Sequence, residues 1–199
     1  MKSADLELVF AAAQSAMGDH HHDELVAAGV DRADIDMGLV GVMRGHVRGD
    51  RLEIDPTGGQ AYITPVRTHY PTLFESPIPD SAVRVGDLID AVAWHPKFPR
   101  RWATLTGNAE ALGLVEPQYC APEPVEIWRG PLAWFKHGCR GLVLLSRQPS
   151  DVYRTLSLCA GGLVAEDDRH AEELRAALEH PWPRPKILVR EGRQVRRAA

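Results

Sequence analysis

Only three of the 199 residues are cysteine, Cys120, Cys139 and Cys159. Their number is odd, and no CxxC or Cys/His ligand spacing accompanies them. This excludes a disulfide framework and a structural zinc site, and fits a reducing compartment. Long apolar runs are missing too. Nothing approaches the roughly 20 residues that a membrane-spanning helix needs, and no basic stretch leads into an apolar core near Met1. A cytoplasmic protein with no membrane partner is therefore expected. No GxSxG elbow, P-loop or GxGxxG occurs, so serine-hydrolase and nucleotide-cradling chemistry have no support. Gly161-Gly162 reads as a helix-to-strand turn, and Ser146 has no cue for a paired His. The formal net charge of −4 excludes a protein that coats nucleic acid along its whole surface. It leaves room for a local basic site.

Hydrophobic residues make up 44% of the chain and charged ones 25%, an ordinary globular balance that allows a sizeable core. Residues 4–17 carry Leu6, Val9, Phe10, Ala13 and Met17 at three- and four-residue steps, the mark of one apolar helix face. Ser3 is placed as its N-cap and Gly18 as its stop. His20-His21-His22 invites a metal. Consecutive helical side chains point about 100° apart, however, so three in a row do not converge on one ion. A solvated start to a short helix over 23–28 is expected instead. The first 40 residues hold eight Asp/Glu against two Lys/Arg, which reads as a solvated helical surface.

From Val40 the period changes to two. VGVMRGHVRGDRLEIDPTGGQAYITPVR alternates apolar and polar residues and is cut at Gly45, Gly49 and Gly58-Gly59. Two or three antiparallel strands are expected, the last ending early or lying at an edge because of Pro65. Residues 69–82 contain three prolines and are expected to be an extended loop. The run 85–94, VGDLIDAVAW, fits a buried strand or a short helix equally well. Next, WHPKFPRRW interleaves Trp94, Phe98 and Trp102 with Lys97, Arg100 and Arg101. Cations that meet phosphates and aromatics that stack on unpaired bases suit single-stranded nucleic acid. The alternative is a Pro-rich loop anchored by its aromatics, with the cations left in water. Residues 103–113 read as a short strand, a Gly turn and a helix of one or two turns.

Beyond Pro124 three short apolar runs, 125–128, 141–145 and 162–165, each precede a segment of helical pattern. A fourth, 187–189, closes the series. Pro131 suits the first turn of a helix ending at Gly138, and Ser150 is placed as the cap of the next. Asp167 or Asp168 would cap the last, ending near Glu179. Strands alternating with helices indicate βα units and a mostly parallel sheet, whose ligands sit beyond the carboxyl ends of the strands. That rim holds Arg129-Gly130, Ser146-Arg147 and Glu166-Asp167-Asp168. The acidic triplet reads either as helix capping or as a ligand set.

This half resembles the Toprim domain of primases, topoisomerases and some nucleases. The matching elements are the strand 125–128 followed by Gly130, and Glu166-Asp167-Asp168 at the end of a later strand. The preceding segment is similar in layout to the antiparallel subdomain ahead of the Toprim sheet in phage-type primases. The resemblance implies acids that hold magnesium for phosphoryl transfer. The chain departs from it at Arg129, which stands where the family carries its Glu, and at Ala171, in place of a Gly. An Arg offers no lone pair. Against a dication at ~4 Å and an effective dielectric of ~20 it would be repelled by about 8 kcal/mol. A salt bridge from Arg129 to Glu166 or Asp168 is expected in the metal's place. Glu126, three residues earlier in mid-strand, would not reach the rim.

The expected class is α/β, α+β overall. Helices fill 1–38, an antiparallel β-rich part 39–118 and a Toprim-like, mostly parallel sheet flanked by helices 119–192. A basic tail, 193–199, ends the chain. The function expected is a non-catalytic nucleic-acid-binding or accessory protein of phage or mobile-element DNA replication, without cofactor. Lys97, Arg100, Arg101, Trp102, Arg129 and Arg147 would form its contact surface. The basic residues from Arg184 onward either join that surface or stay in solvent. An active enzyme would instead be a magnesium-dependent primase or nuclease using Glu126, Glu166 and Asp168. A scaffold of a replication complex, with a protein partner, is the third option.

Overall fold

The computed structural model describes residues 3–67, 87–113, 123–179, 188–191 and 194–197, in a mixed α+β arrangement. Three helices, α1 (Ser3–Ser15), α2 (Asp19–Ala27) and α3 (Arg32–Asp36), precede a five-stranded closed barrel. Its strands are β1 (Gly41–Arg48), β2 (Arg51–Ile54), β3 (Gly59–Arg67), β4 (Leu88–Trp94) and β5 (Trp102–Thr104), in the order β1-β2-β5-β4-β3. The contacts β1·β2, β1·β3, β3·β4 and β4·β5 are antiparallel. Closure comes from one parallel pairing, Arg51 with Thr104, supported by the Thr104 N–H donating to Asp50 O at 2.9 Å. The two-residue turn between β1 and β2 works because Gly49 adopts φ 65°, which a side chain would resist.

Alternation along the strands divides the core. Leu52, Ile63, Leu88, Ala93 and Ala103 point one way and pack with Leu6, Phe10 and Ala13 of α1. Their neighbours Tyr62, Val66, Val92 and Trp94 point the other way, joining Leu25, Val30 and Ile35 of the helical head. β3 and β4 are therefore buried on both faces, which is why 85–94 shows no period. Pro65 does not end β3. It pairs with Ala91 but lies past Ile63, the last β3 residue opposite β1, so its missing N–H interrupts no bond on that side.

The second half is a four-stranded sheet in the order β6-β8-β7-β9, formed by β6 (Ala111–Leu112), β7 (Val125–Trp128), β8 (Leu142–Leu144) and β9 (Leu163–Val164). β7 runs parallel to β8 and to β9, while β6 runs antiparallel to β8. Helix α4 (Pro131–Lys136) packs Leu132, Trp134 and Phe135 toward the barrel, with the Phe135 and Trp94 rings 5.4 Å apart. On the other face α5 (Pro149–Ser157) and α6 (Asp168–Glu179) supply Leu156 and Leu174 to a cluster with Val125, Ile127 and Leu142.

Several expectations are corrected. Residues 111–112 are a strand, not a helix, because β8 supplies a partner that local sequence cannot reveal. α5 begins at Pro149 after Gln148, so Ser150 is not its cap. α2 includes all three histidines, and His21 is buried, its Nδ1 accepting the Gly18 N–H at 3.0 Å. β10 (Leu188–Glu191) pairs antiparallel with β11 (Gln194–Arg197), so the fourth apolar run does not extend the parallel sheet and part of the tail is a strand. The loop expected over 69–82 and Cys120 lie outside the described residues. Among those described, no helix is long and apolar enough to cross a membrane.

One carboxylate joins the two halves. Asp90 of β4 is fully buried. Its oxygens accept the N–H groups of Ala91, Leu105, Thr106, Asn108 and Ala109 at 2.8–3.3 Å. Thus the barrel holds the turn that leads into β6. Replacing Asp90 by Ala removes the carboxylate acceptor from all five, with the Leu105 N–H keeping Ala91 O at 2.9 Å, and should destabilise the protein by about 3 kcal/mol. The thermal midpoint should fall by roughly 6–12 °C. An unchanged midpoint would show that the turn supports itself.

Candidate functional site

β7 and β9 are parallel neighbours, so both chains leave the sheet at the same rim. Arg129 follows β7 and Glu166-Asp167 lead from β9 into α6. The Arg129 backbone N–H donates to Glu166 Oε1 at 2.6 Å. Its guanidinium forks onto Asp167, with Nη1 on Oδ2 and Nη2 on Oδ1 at 3.0 Å. Nη1 also lies 3.6 Å from Glu166 Oε2, and Nη2 3.4 Å from Glu173 Oε2. The Arg129 side chain is only 12% exposed. Three carboxylates thus converge on one cation.

α6 sets this geometry. Asp167 caps the helix by accepting the His170 N–H at Oδ1, 2.8 Å, while the Glu166 N–H donates to Nδ1 of buried His170 at 3.2 Å. Asp167, His170 and Glu173 recur at three-residue steps, the spacing of one helix face. That spacing was the available signal for Glu173 and His170, which reading the triplet alone misses. The bond from Arg129 holds the Asp167 carboxyl well below the usual carboxylate range, and Arg100 acts the same way from farther off. Asp167 in turn pushes the guanidinium up.

The expected salt bridge from Arg129 to Glu166 is present, but its second partner is Asp167 rather than Asp168. Asp168 opens α6 as an exposed residue and is not among the partners of Arg129. Glu126 pairs in register with Val164 inside the sheet, three residues and about 10 Å of strand short of the rim. Glu126, Glu166 and Asp168 are therefore not gathered into one ligand set. Among the described residues no group of three or more His, Cys, Asp or Glu is placed to hold a metal ion.

The basic and aromatic segment reaches the same rim. Gly130 abuts it, since a Cβ there would sit 2.4 Å from Pro99 O. The Arg147 guanidinium, beyond β8, lies 5.7 Å from the centre of the Trp102 ring. Arg101 lies 5.8 Å from that of Phe98, and Phe98 is 55% exposed. Two of the six residues expected to contact nucleic acid are engaged elsewhere. Arg129 is held in the acidic cage, and Lys97 lies 3.8 Å from Glu24 of α2. Arg100, Arg101 and Arg147 remain as exposed cations beside Phe98 and Trp102.

Acid should loosen the protein in two stages. Burial, then the charge of Arg129, holds His170 below the usual imidazole range. Burial, then His20, does the same for His21. For these groups and for Asp167 the folded-state pKa lies below the unfolded one. The unfolded state binds more protons, so stability rises with pH through each window. The histidine contribution is complete above about pH 6.5 and fades below it, while that of Asp167 starts to fade below about pH 4. The thermal midpoint should decline on acidification through the first window, and His170→Gln should flatten that decline, leaving the share of His21. A midpoint that is level from neutrality to about pH 5 would contradict buried neutral imidazoles.

Comparison of the chain with protein-family models, with curated proteins and with solved structures returned no match.

Proposed function

We propose that the chain is a non-catalytic Toprim-like module that binds single-stranded nucleic acid, as an accessory factor in phage or mobile-element DNA replication. The observation that carries this reading is the cage at the ends of β7 and β9, with Arg129 among Glu166, Asp167 and Glu173. It is a carboxylate cluster at the rim of parallel strands, the place where the Toprim resemblance puts a divalent ion. A guanidinium occupies its centre. Support also comes from the strand order, in which β7 lies between two parallel partners. Binding would use the adjacent edge, with bases on Phe98 and Trp102 and phosphates on Arg100, Arg101 and Arg147.

The enzyme reading is disfavoured by the separation of Glu126 from the acids. Nucleic acid is favoured by the convergence of two segments distant in sequence, 97–102 and 147, on one aromatic and cationic edge.

Two experiments test the reading. Anisotropy of a labelled oligo-dT should reveal binding that weakens roughly 20-fold between about 50 and 200 mM salt, as three phosphate contacts require. Trp102→Ala should weaken it by about tenfold through lost stacking. No binding at the lower salt would sink the nucleic-acid role. Separately, Arg129→Ala leaves three carboxylates without their cation. Manganese should then raise the thermal midpoint of the variant but not of the parent. If manganese leaves both midpoints unchanged, the acids are not a cation seat.

A further inference from the structure

A groove of about 650 Å³ lies between α1, the start of α2 and the barrel strands β1 to β3, apart from the residues of the rim. Its wall is largely apolar, formed by Val9, Ala12, Ala16, Met43, Ile54 and Pro56. Its volume falls within the usual range for small-molecule sites. Ile54, on this wall, is 52% exposed.

The groove contains one strong cation, Arg44 of β1. Arg44 Nε donates to Gly58 O at 2.9 Å, which fixes the plane of the guanidinium. Its terminal nitrogens have no acidic partner among the described residues. A guanidinium pinned at Nε keeps two parallel donors for a planar anion and loses little freedom on binding one. Gly58 is packed there as tightly as a residue can be, since a Cβ would lie 2.4 Å from Gly45 O. The pinning carbonyl is therefore held by backbone. His20 and Gln60 add polar groups to the lining.

We infer that this groove binds an apolar carboxylate, with its carbon body along the α1 and β2 wall and its carboxylate forked on Arg44. The charge decides between candidate occupants. A neutral apolar ligand would leave the Arg44 fork beside an apolar body and without a partner. A polyanion would find a single strong cation and a wall with nothing else to offer it. A monoanion with a hydrocarbon body matches both features.

The test uses the full chain and dodecanoate, with dodecanol as the neutral counterpart, followed by calorimetry and by amide shifts in the isotope-labelled protein. Saturable one-to-one binding is expected, with shifts centred on α1 and β1. Arg44→Gln should weaken dodecanoate by at least tenfold, and dodecanol should bind the parent no better than dodecanoate binds that variant. Ala16→Trp, at the exposed residue just past the end of α1, should fill the groove and abolish binding while the thermal midpoint stays within a few degrees. Absence of saturable binding overturns the assignment. So does equal affinity for dodecanol, or binding that Ala16→Trp leaves intact. None of these outcomes depends on nucleic-acid binding at the rim.

Discussion

The seam between barrel and sheet rests on the Asp90 carboxylate. Burying a carboxylate costs several kcal/mol after relaxation, and among the described residues no cation pairs with Asp90. What offsets it is a set of five backbone N–H groups, four of them from the single turn 105–109. Hydrogen bonds to a charged acceptor are the stronger kind, and they hold a turn whose Gly107 and Asn108 are themselves exposed. The turn gains a fixed shape, and with it a fixed direction of exit. Glu110 follows at once, its carbonyl accepting the N–H groups of Leu145 and Ser146 at 2.8 and 3.0 Å. The end of β8, and thus Arg147, is set relative to β4 and β5. The approach of Arg147 to Trp102 follows from a carboxylate in another strand.

The cage around Arg129 works differently. Exposed ion pairs contribute little, because solvent screens them and long side chains resist being held. Arg129 is better placed than most, since its side chain is almost covered and α6 fixes its partners, although Asp167 and Glu173 are themselves about half exposed. Its value lies less in the attraction gained than in the repulsion prevented. Without the guanidinium, Glu166, Asp167 and Glu173 would face one another across a single cation's width. Breaking such a set by removing one partner is more damaging than never having built it.

How much of this was legible depends on whether the determining contacts are local. The strands β1 and β2 announce themselves by alternation, since one face of each is covered and the other meets solvent, and β3 follows from the glycine turn that leads into it. β4 does not, because both its faces are buried. β6 was unreadable for another reason. Ala109-Glu110-Ala111-Leu112 is made of good helix formers, and only pairing with β8 turns it into a strand. Barrel closure through Arg51 and Thr104 left no trace in sequence at all. At the rim, the pairing of Arg129 with the acidic run was readable because parallel neighbours bring strand ends together. Asp167 in place of Asp168, and the addition of Glu173, depend on where the first turn of α6 begins.

A phosphate that approaches the rim meets a field of the wrong sign. Four acids lie in or beside it, Glu166, Asp167, Asp168 and Glu173, and at close range their field opposes a polyanion. Arg129 neutralises part of that field from within, while its own donors are turned inward and spent on the carboxylates. On the proposed reading it never touches nucleic acid, yet the contacts of Arg100, Arg101 and Arg147 depend on it. Arg100 already acts on Asp167 through space, so the two charge systems are coupled. Losing Arg129 would leave the exposed cations in place and still weaken them, because they would be drawn toward uncompensated carboxylates. The arginine thus serves as an internal counterion, and the edge carrying Arg100, Arg101 and Arg147 is cationic because the cage beside it is closed.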